Sequence, residues 1–156
     1  MIMKQHQINI RVRLIVINDR KLLVQFRKKQ NFYHYIGGHL EYGETIKEAC
    51  IRETKEECGD DVQFEFQKIL YVRDFINPEE ESGHSLELFI LGNINKTEGL
   101  EKLLDPQHPD GSVWLTWLDI INNLPDNLLP KTLSAKLIKD FKDGFPQQGE
   151  YIGQIV

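Results

Sequence analysis

GGHLEYGETIKEACIRETKEECGD, from Gly37 to Asp60, reads as a loop, a helix and a second loop. Thr45 and Glu48 have the spacing of a capping box, which starts a helix at Ile46. Gly59 supplies the left-handed residue that commonly ends one, so the helix is expected over Ile46 to Cys58. At about 100° of rotation per residue, Glu53, Glu56 and Glu57 fall within an arc of roughly 100° on its last two turns. Like charges one turn apart each destabilise a helix by about 0.2–0.5 kcal/mol. Three carboxylates on one face therefore point to a hard divalent cation among them.

The flanking residues make that face specific. Gly37-Gly38 permits a close backbone approach that side chains would forbid, and Gly43 loosens the turn before the helix. Arg52 reaches Glu56 at i+4 and lies beside Glu53 and Glu48, where its fork of donors can orient a carboxylate. Ala49, one turn before Glu53, is expected on the acidic side, leaving room for a ligand. Cys50, Ile51, Thr54 and Cys58 form the apolar stripe expected to dock on a sheet.

This run resembles the Nudix box, G-x5-E-x7-R-E-U-x-E-E-x-G-U with U a bulky apolar residue. Gly38, Glu44, Arg52, Glu53, Glu56, Glu57 and Gly59 match in register. Thr54 and Asp60 depart from the bulky positions, and Ile36 replaces the Pro often found before the Gly-Gly pair; all three are packing positions. The run WLTWLDI, Trp114 to Ile120, also resembles the strand and short helix that close many domains of this family, so the resemblance spans most of the chain.

The resemblance implies an α/β fold, a Nudix-type α/β/α sandwich with a mixed sheet between helices. It also implies a hydrolase that cuts the diphosphate of a nucleoside diphosphate linked to another group, X, with Mg²⁺ or Mn²⁺ as cofactor. The expected metal ligands are Glu53, Glu56, Glu57 and, by resemblance, the backbone carbonyl of Gly38, with Glu57 as the principal one. Glu53 is expected to orient or deprotonate the attacking water, Arg52 to position it, and Glu44 to support both from an outer shell.

A chain of 156 residues amounts to one domain, expected over residues 1–143 with a tail over 144–156. Tyr151, Ile152 and Ile155 of that tail could dock across a homodimer. The net charge of −5, with no dense basic tract, argues against a nucleic-acid polymer as partner but not against a small phosphorylated substrate. The N-terminal residues MIMKQHQINI lack an apolar leader, and no apolar run approaches the ~20 residues of a membrane span. A cytoplasmic protein without a membrane partner is expected. Cys50 and Cys58, about two turns apart on one helix, are too distant for a disulfide and read as buried thiols.

Along the chain, Ile8, Ile10, Val12, Leu14 and Val16 alternate with polar residues as in a half-buried strand. Asn18-Asp19-Arg20 turns into a second strand, Lys21 to Arg27, and a loop over Lys28 to Tyr35 is expected to lead to the Gly-Gly element. Val62 to Phe75 reads as a long strand, followed by Asn77-Pro78 and an acidic loop, Glu79 to Glu81. Ser85 to Ile94 reads as a strand buried on both faces, in which Glu87 needs a partner or a metal. Lys96 to Ser112 reads as a long loop. Pro130 opens a terminal helix with Leu133, Leu137, Ile138 and Phe141 facing the core and its lysines facing water.

Several assignments stay open at this point. A further acid from outside the box could be Glu87, Glu98, Asp105 or Asp110, while His34, His39 and His108 are candidate titrating groups. Arg27, Lys28 and Arg73 could contact phosphates, and Tyr33, Tyr35, Phe75 or Trp117 could stack on a base. Two other readings compete: a nucleotide-binding sensor that has lost turnover, and an interaction domain whose glutamates are only solvated charge.

Overall fold

The computed structural model describes residues 6–80, 83–122 and 124–156. Its elements are β1 (Asn9–Asn18), β2 (Lys21–Arg27), β3 (Phe32–His39), α1 (Ile46–Cys58), β4 (Phe64–Ile76), β5 (His84–Ile94), β6 (Val113–Asp119), β7 (Leu128–Leu129), α2 (Leu133–Asp143) and β8 (Glu150–Gln154). The strands form one mixed sheet in the order β6-β2-β3-β1-β5-β4-β8, with β7 paired to β3. The two helices cover apolar clusters of their own. Val12, Leu14, Val16 and Ile36 pack with Ala49, Cys50 and Cys58 of α1, whereas Ile15, Tyr35 and Phe89 pack with Leu133 and Leu137 of α2. The alternation of β1 therefore feeds both sides of an α/β/α sandwich.

The β1–β2 hairpin turns at Asp19-Arg20 as its sequence predicts, but the strands pair only at Ile17–Leu22 and Asn18–Lys21 before they part. β3 fills the opening. Phe32 to Tyr35 pair with β2, and Ile36 to His39 pair with β1. The expected loop over Lys28 to Tyr35 is thus half strand, and the Gly-Gly pair lies inside β3. Gly37 has φ +129°, and a Cβ there would collide with the carbonyl oxygen of Val12 and lie 3.0 Å from its carbon. The glycine is needed because two backbones close on each other at the crossing point, rather than because the chain turns.

Helix α1 has the expected bounds and both halves of its capping box: Glu48 N–H donates to Thr45 Oγ1 (3.2 Å) and Thr45 N–H to Glu48 Oε2 (2.7 Å). Gly59 has positive φ, +118°, but an extended ψ of 153° instead of a left-handed helical one. The packing face is rotated from the expected stripe. Ala49 is fully buried in the core and leaves no ligand space, while Ile51 is 41% exposed. The small Ala49 lets the helix approach the sheet closely, and that approach carries Glu53 inward.

The entry to β1 also departs from expectation: Ile8 precedes the strand and is 62% exposed, and Ile10 is 38% exposed. Periodicity tells which residues share a face, but not how far the covering helix extends. Helix α2 begins three residues after Pro130, and its Lys136 is half-buried, bridging Asp140 (3.0 Å) and Glu150 (2.8 Å), instead of facing water. Ile120 to Asn122 form a turn where a short helix was expected. In the acidic loop after Pro78, Glu81 lies outside the described residues.

Residues 144–156, expected as a tail, contain β8, which pairs in parallel with β4 from Tyr71–Glu150 to Asp74–Gln154. Ile152 and Ile155 pack against the α2-side cluster of the same chain, and Tyr151 bonds Asp74 through its hydroxyl. Among the described residues no helix is long and apolar enough to cross a membrane.

The contrast along β1 is open to measurement. Leu14→Ala should destabilise the protein by about 2–5 kcal/mol, because Leu14 is fully buried. Ile8→Ala, at a position 62% exposed, should change stability by no more than about 0.5 kcal/mol. Urea unfolding of the two variants checks this, and comparable losses would contradict the placement of Ile8.

Candidate active site

The carboxylates of α1 face a cavity of about 730 Å³ that opens where β3 passes from β2 to β1. At its acidic end Arg52 organises the site. Its Nε and Nη2 donate to the two oxygens of Glu44 (2.7 and 3.0 Å), Nη1 donates to Glu53 Oε1 (2.9 Å), and Nη2 also donates to the carbonyl of His39 (2.9 Å). The reach to Glu56 is longer, 3.4 and 3.5 Å. One guanidinium thus ties the loop, the end of β3 and the helix together. Glu48, expected beside Arg52, is instead used in the cap.

Glu53 is only 8% exposed, and its carboxylate occupies the space that a side chain at residue 38 would fill: a Cβ on Gly38 would lie 2.9 Å from Glu53 Cδ. Burial raises the pKa of Glu53, an effect that the Arg52 hydrogen bond opposes. Glu57 receives the Gly37 N–H on Oε2 (2.8 Å). It lines the cavity and is only partly exposed, and burial pushes its pKa up to about 8 against the pull of that N–H. Glu44 is held below the usual carboxylate range by its hydrogen bonds with Arg52.

Glu53, Glu56, Glu57 and the Gly38 backbone offer the hard oxygen donors that suit Mg²⁺ or Mn²⁺. Glu57 fits that role best on its surroundings, as a carboxylate whose only hydrogen bond among the described residues comes from Gly37. Among the described residues no three acidic, His or Cys side chains are gathered tightly enough to make a ready-formed ion site. Their current partners account for this, since Arg52 draws Glu53 and Glu56 toward itself while Gly37 holds Glu57.

The structure separates the four further acids. Asp105 and Glu87 line the cavity; Glu98 and Asp110 do not. Glu87 is paired with Arg73 (3.2 Å) and Arg13 (3.5 Å). Asp105 is 8% exposed and accepts from Gln25 Nε2 (3.3 Å), from Gln107 N–H (3.0 Å) and, through its Oδ2, pairs with His108 Nδ1 (3.0 Å). Asp110 is bound to Lys29 (2.6 Å). His34 accepts from Arg27 Nε (3.0 Å), and burial together with Arg13 and Arg27 lowers its pKa to about 3, which leaves it neutral at ordinary pH.

Of the candidate substrate contacts, Arg27, Arg73, Tyr35 and Phe75 line the cavity, whereas Lys28, Tyr33 and Trp117 do not. Arg11 and Arg13 line it too. In the sequence both belong to the polar half of the alternating strand. Two arginines two positions apart, on the face opposite Val12 and Leu14, were the available signal.

A family model for the NUDIX domain matches residues 8–137, and the chain belongs to the Nudix family of hydrolases. An ADP-ribose pyrophosphatase from Streptococcus suis 89-1591 has a similar structure, with 18% identity, a TM-score of 0.64, and 95% of this chain and 100% of that one covered. A Nudix hydrolase from Nitrosomonas europaea, 15% identical, has a TM-score of 0.69 over 96% of this chain and 82% of that one. A UDP-X diphosphatase, 17% identical, has a TM-score of 0.63 over 95% of this chain and 68% of that one. At these identities the likeness is one of fold.

Glu57 gives the site a pH signature. An unfolded Glu loses its proton near about 4.3, whereas folded Glu57 keeps its own up to about 8. Between those limits the folded chain binds the extra proton, so Glu57's contribution to stability falls as pH rises through that window. With a chelator present, the melting temperature of the wild type should drop more between pH 5 and 8 than that of Glu57→Gln. Parallel slopes would show that Glu57 is not protonated in the folded state.

Proposed function

We propose that this Nudix hydrolase uses Mg²⁺, with Mn²⁺ as a substitute, to cut the diphosphate of a nucleoside diphosphate linked to another group. The observation that carries the reading is that Glu53, Glu56 and Glu57 line the same cavity as the arginines of β1 and β4. Glu57, Glu56, Glu53 and the Gly38 carbonyl would hold the ion, with Glu57 as principal ligand. The contact from Arg52 to Glu56 is longer than those to Glu44, Glu53 and the His39 carbonyl, and among these it is the first that a cation would displace. When bound, Mg²⁺ would offset the negative charge that repels a nucleophile and stabilise the leaving phosphate.

Glu53 is the proposed base. Its burial beneath Gly38 favours taking up a proton, and Arg52 fixes its Oε1. As water attacks one phosphorus, its proton passes to Glu53, the bridging P–O bond breaks and the departing phosphate keeps the electron pair. Arg52 acts as a positioning residue, and the salt bridge to Glu44 holds its guanidinium where Nη2 donates to the His39 carbonyl at the end of β3.

None of the three departures from the Nudix box touches this machinery. Thr54 is buried and bonds the carbonyl of Cys50 (2.7 Å), Ile36 belongs to the core, and Asp60 is exposed. The placement of these residues gives no support to a sensor that has lost turnover.

A panel of nucleoside triphosphates, nucleotide sugars and dinucleotides with Mg²⁺ should contain at least one substrate. Turnover of the best one should fall at least ~10²-fold in Glu57→Gln, as expected on losing a charged ligand. Tight binding without product would favour the sensor. Mn²⁺ should also raise the melting temperature of the wild type, because it binds the folded site alone. An equal rise in the Glu53→Gln, Glu56→Gln, Glu57→Gln triple variant would place the ion elsewhere.

A further inference from the structure

The cavity has a second charged end, and its alignment comes from the sheet. His39 on β3 pairs with Arg11 on β1, Arg11 with Glu87 on β5, and Glu87 with Arg73 on β4. These residues form one row across four neighbouring strands, with Arg13 in the next row on the same face. All of them line the cavity. Two guanidinium groups share Glu87, which is 5% exposed and takes Arg73 Nη1 on Oε2 (3.2 Å) and Arg13 Nη2 on Oε1 (3.5 Å), and the same carboxylate attracts Arg11 from farther off. Glu80 adds a weaker, more distant attraction to Arg11 and does not line the cavity. Among the described residues the group holds more positive than negative charge, which is costly where it is buried, as at Arg73, without an anion.

Two further features show that this end is built but incomplete. Arg73 is 6% exposed and lies over the Phe75 ring at 5.1 Å, so its plane is fixed, yet its Nε has no hydrogen-bond partner among the described residues. Tyr35, 1% exposed, likewise has a hydroxyl without a partner there. Buried donors of this kind are normally satisfied. Burial lowers the pKa of both Arg11 and Arg73, and Arg13 lowers that of Arg11 further, so an incoming anion would relieve the repulsion. Arg13, opposite Gly37, stands at the near end of this group, and the far end at Arg73 is remote from the glutamates. Glu57 and Glu53 meet the sheet at Gly37 and Gly38 of β3, whereas β4 lies three strand spacings away, roughly 14 Å. That is too far for Arg73 to be needed by phosphates held at the glutamates.

We infer that Arg11, Arg13 and Arg73 form a subsite for a phosphoryl group that the substrate carries beyond the diphosphate that is cut, so that substrates with a phosphorylated X group are preferred over those in which X is a neutral sugar. Glu87 holds Arg13 and Arg73 in place, and Phe89 and Tyr35 provide the apolar floor between the two ends. The inference rests on the diphosphate-hydrolase reading for its choice of substrate, while the anion site itself can be tested without turnover.

Calorimetry of the metal-free protein with inorganic tripolyphosphate tests the site. Wild type should bind it, and Arg11→Gln and Arg73→Gln should each weaken binding by about 10-fold or more, the loss of one charge-assisted hydrogen bond. Arg11→Lys should restore most of the affinity, and Arg11→Gln is informative even if Arg73→Gln, which strips Glu87 of a partner, fails to fold. Unchanged affinity in a folded Arg11→Gln would overturn the subsite. With Mg²⁺, kcat/KM for a nucleoside triphosphate and for a dinucleoside polyphosphate should exceed that for a nucleotide hexose of the same base. Arg11→Gln should raise KM for the first two more than it lowers kcat. A hexose cut as efficiently as the phosphorylated substrates would refute the preference even if tripolyphosphate binds. Failure to cut any of them would count against the hydrolase reading and leave the calorimetry to decide the subsite.

Discussion

The guanidinium of Arg52 is the contact on which the arrangement of this site depends. It joins Glu44 in the loop, the His39 carbonyl at the end of β3, and Glu53 and Glu56 on the helix. Each of these segments has a different origin in the fold, and a single planar cation with five donors can satisfy them together. Without it the carboxylates of α1 would repel one another and the helix would lose its fixed relation to β3. A lysine could supply the charge but not the geometry.

The second constraint is steric. β3 must cross from one strand partner to the other while α1 lies close above it, and both demands fall on Gly37 and Gly38. Gly37 has no room for a side chain because of the β1 backbone, and Gly38 because of the Glu53 carboxylate. These glycines let the sheet split and the helix approach at the same place, and the cavity opens there as a consequence. Glu53 and Glu57 are thereby drawn from a solvated helix face into surroundings that raise their pKa values. The cost of burying them is what makes them suited to a cation or a proton.

Charge is distributed unevenly over this chain. Although its net charge is −5, the cavity concentrates arginines from β1, β2 and β4 opposite the acidic helix. A site with carboxylates at one end and guanidinium groups at the other is matched to a ligand that is anionic along its length, with a cation bridging the acidic end. Overall charge gives no hint of this, because surface carboxylates such as Asp60 and Glu98 dominate the sum.

The local parts of this protein were legible in its residues alone. The bounds of α1, its cap and the identity of Arg52, Glu53, Glu56 and Glu57 follow from short-range rules of spacing and capping, which act within a few residues. The α/β/α arrangement was legible as well, from the order of strands and helices and from the resemblance carried by Gly38 to Gly59. Other features depend on partners distant in the chain and emerge only on folding. Ala49 turned out to be core and Ile51 surface, because the rotation of α1 is set by what it packs against. Residues 150–154 became an edge strand, because β4 had an open side that apolar residues of the tail could cover. The row of Arg11, Glu87 and Arg73 exists only through strand register, and register between strands as far apart in the chain as β1 and β5 is fixed by the packing of the whole sheet.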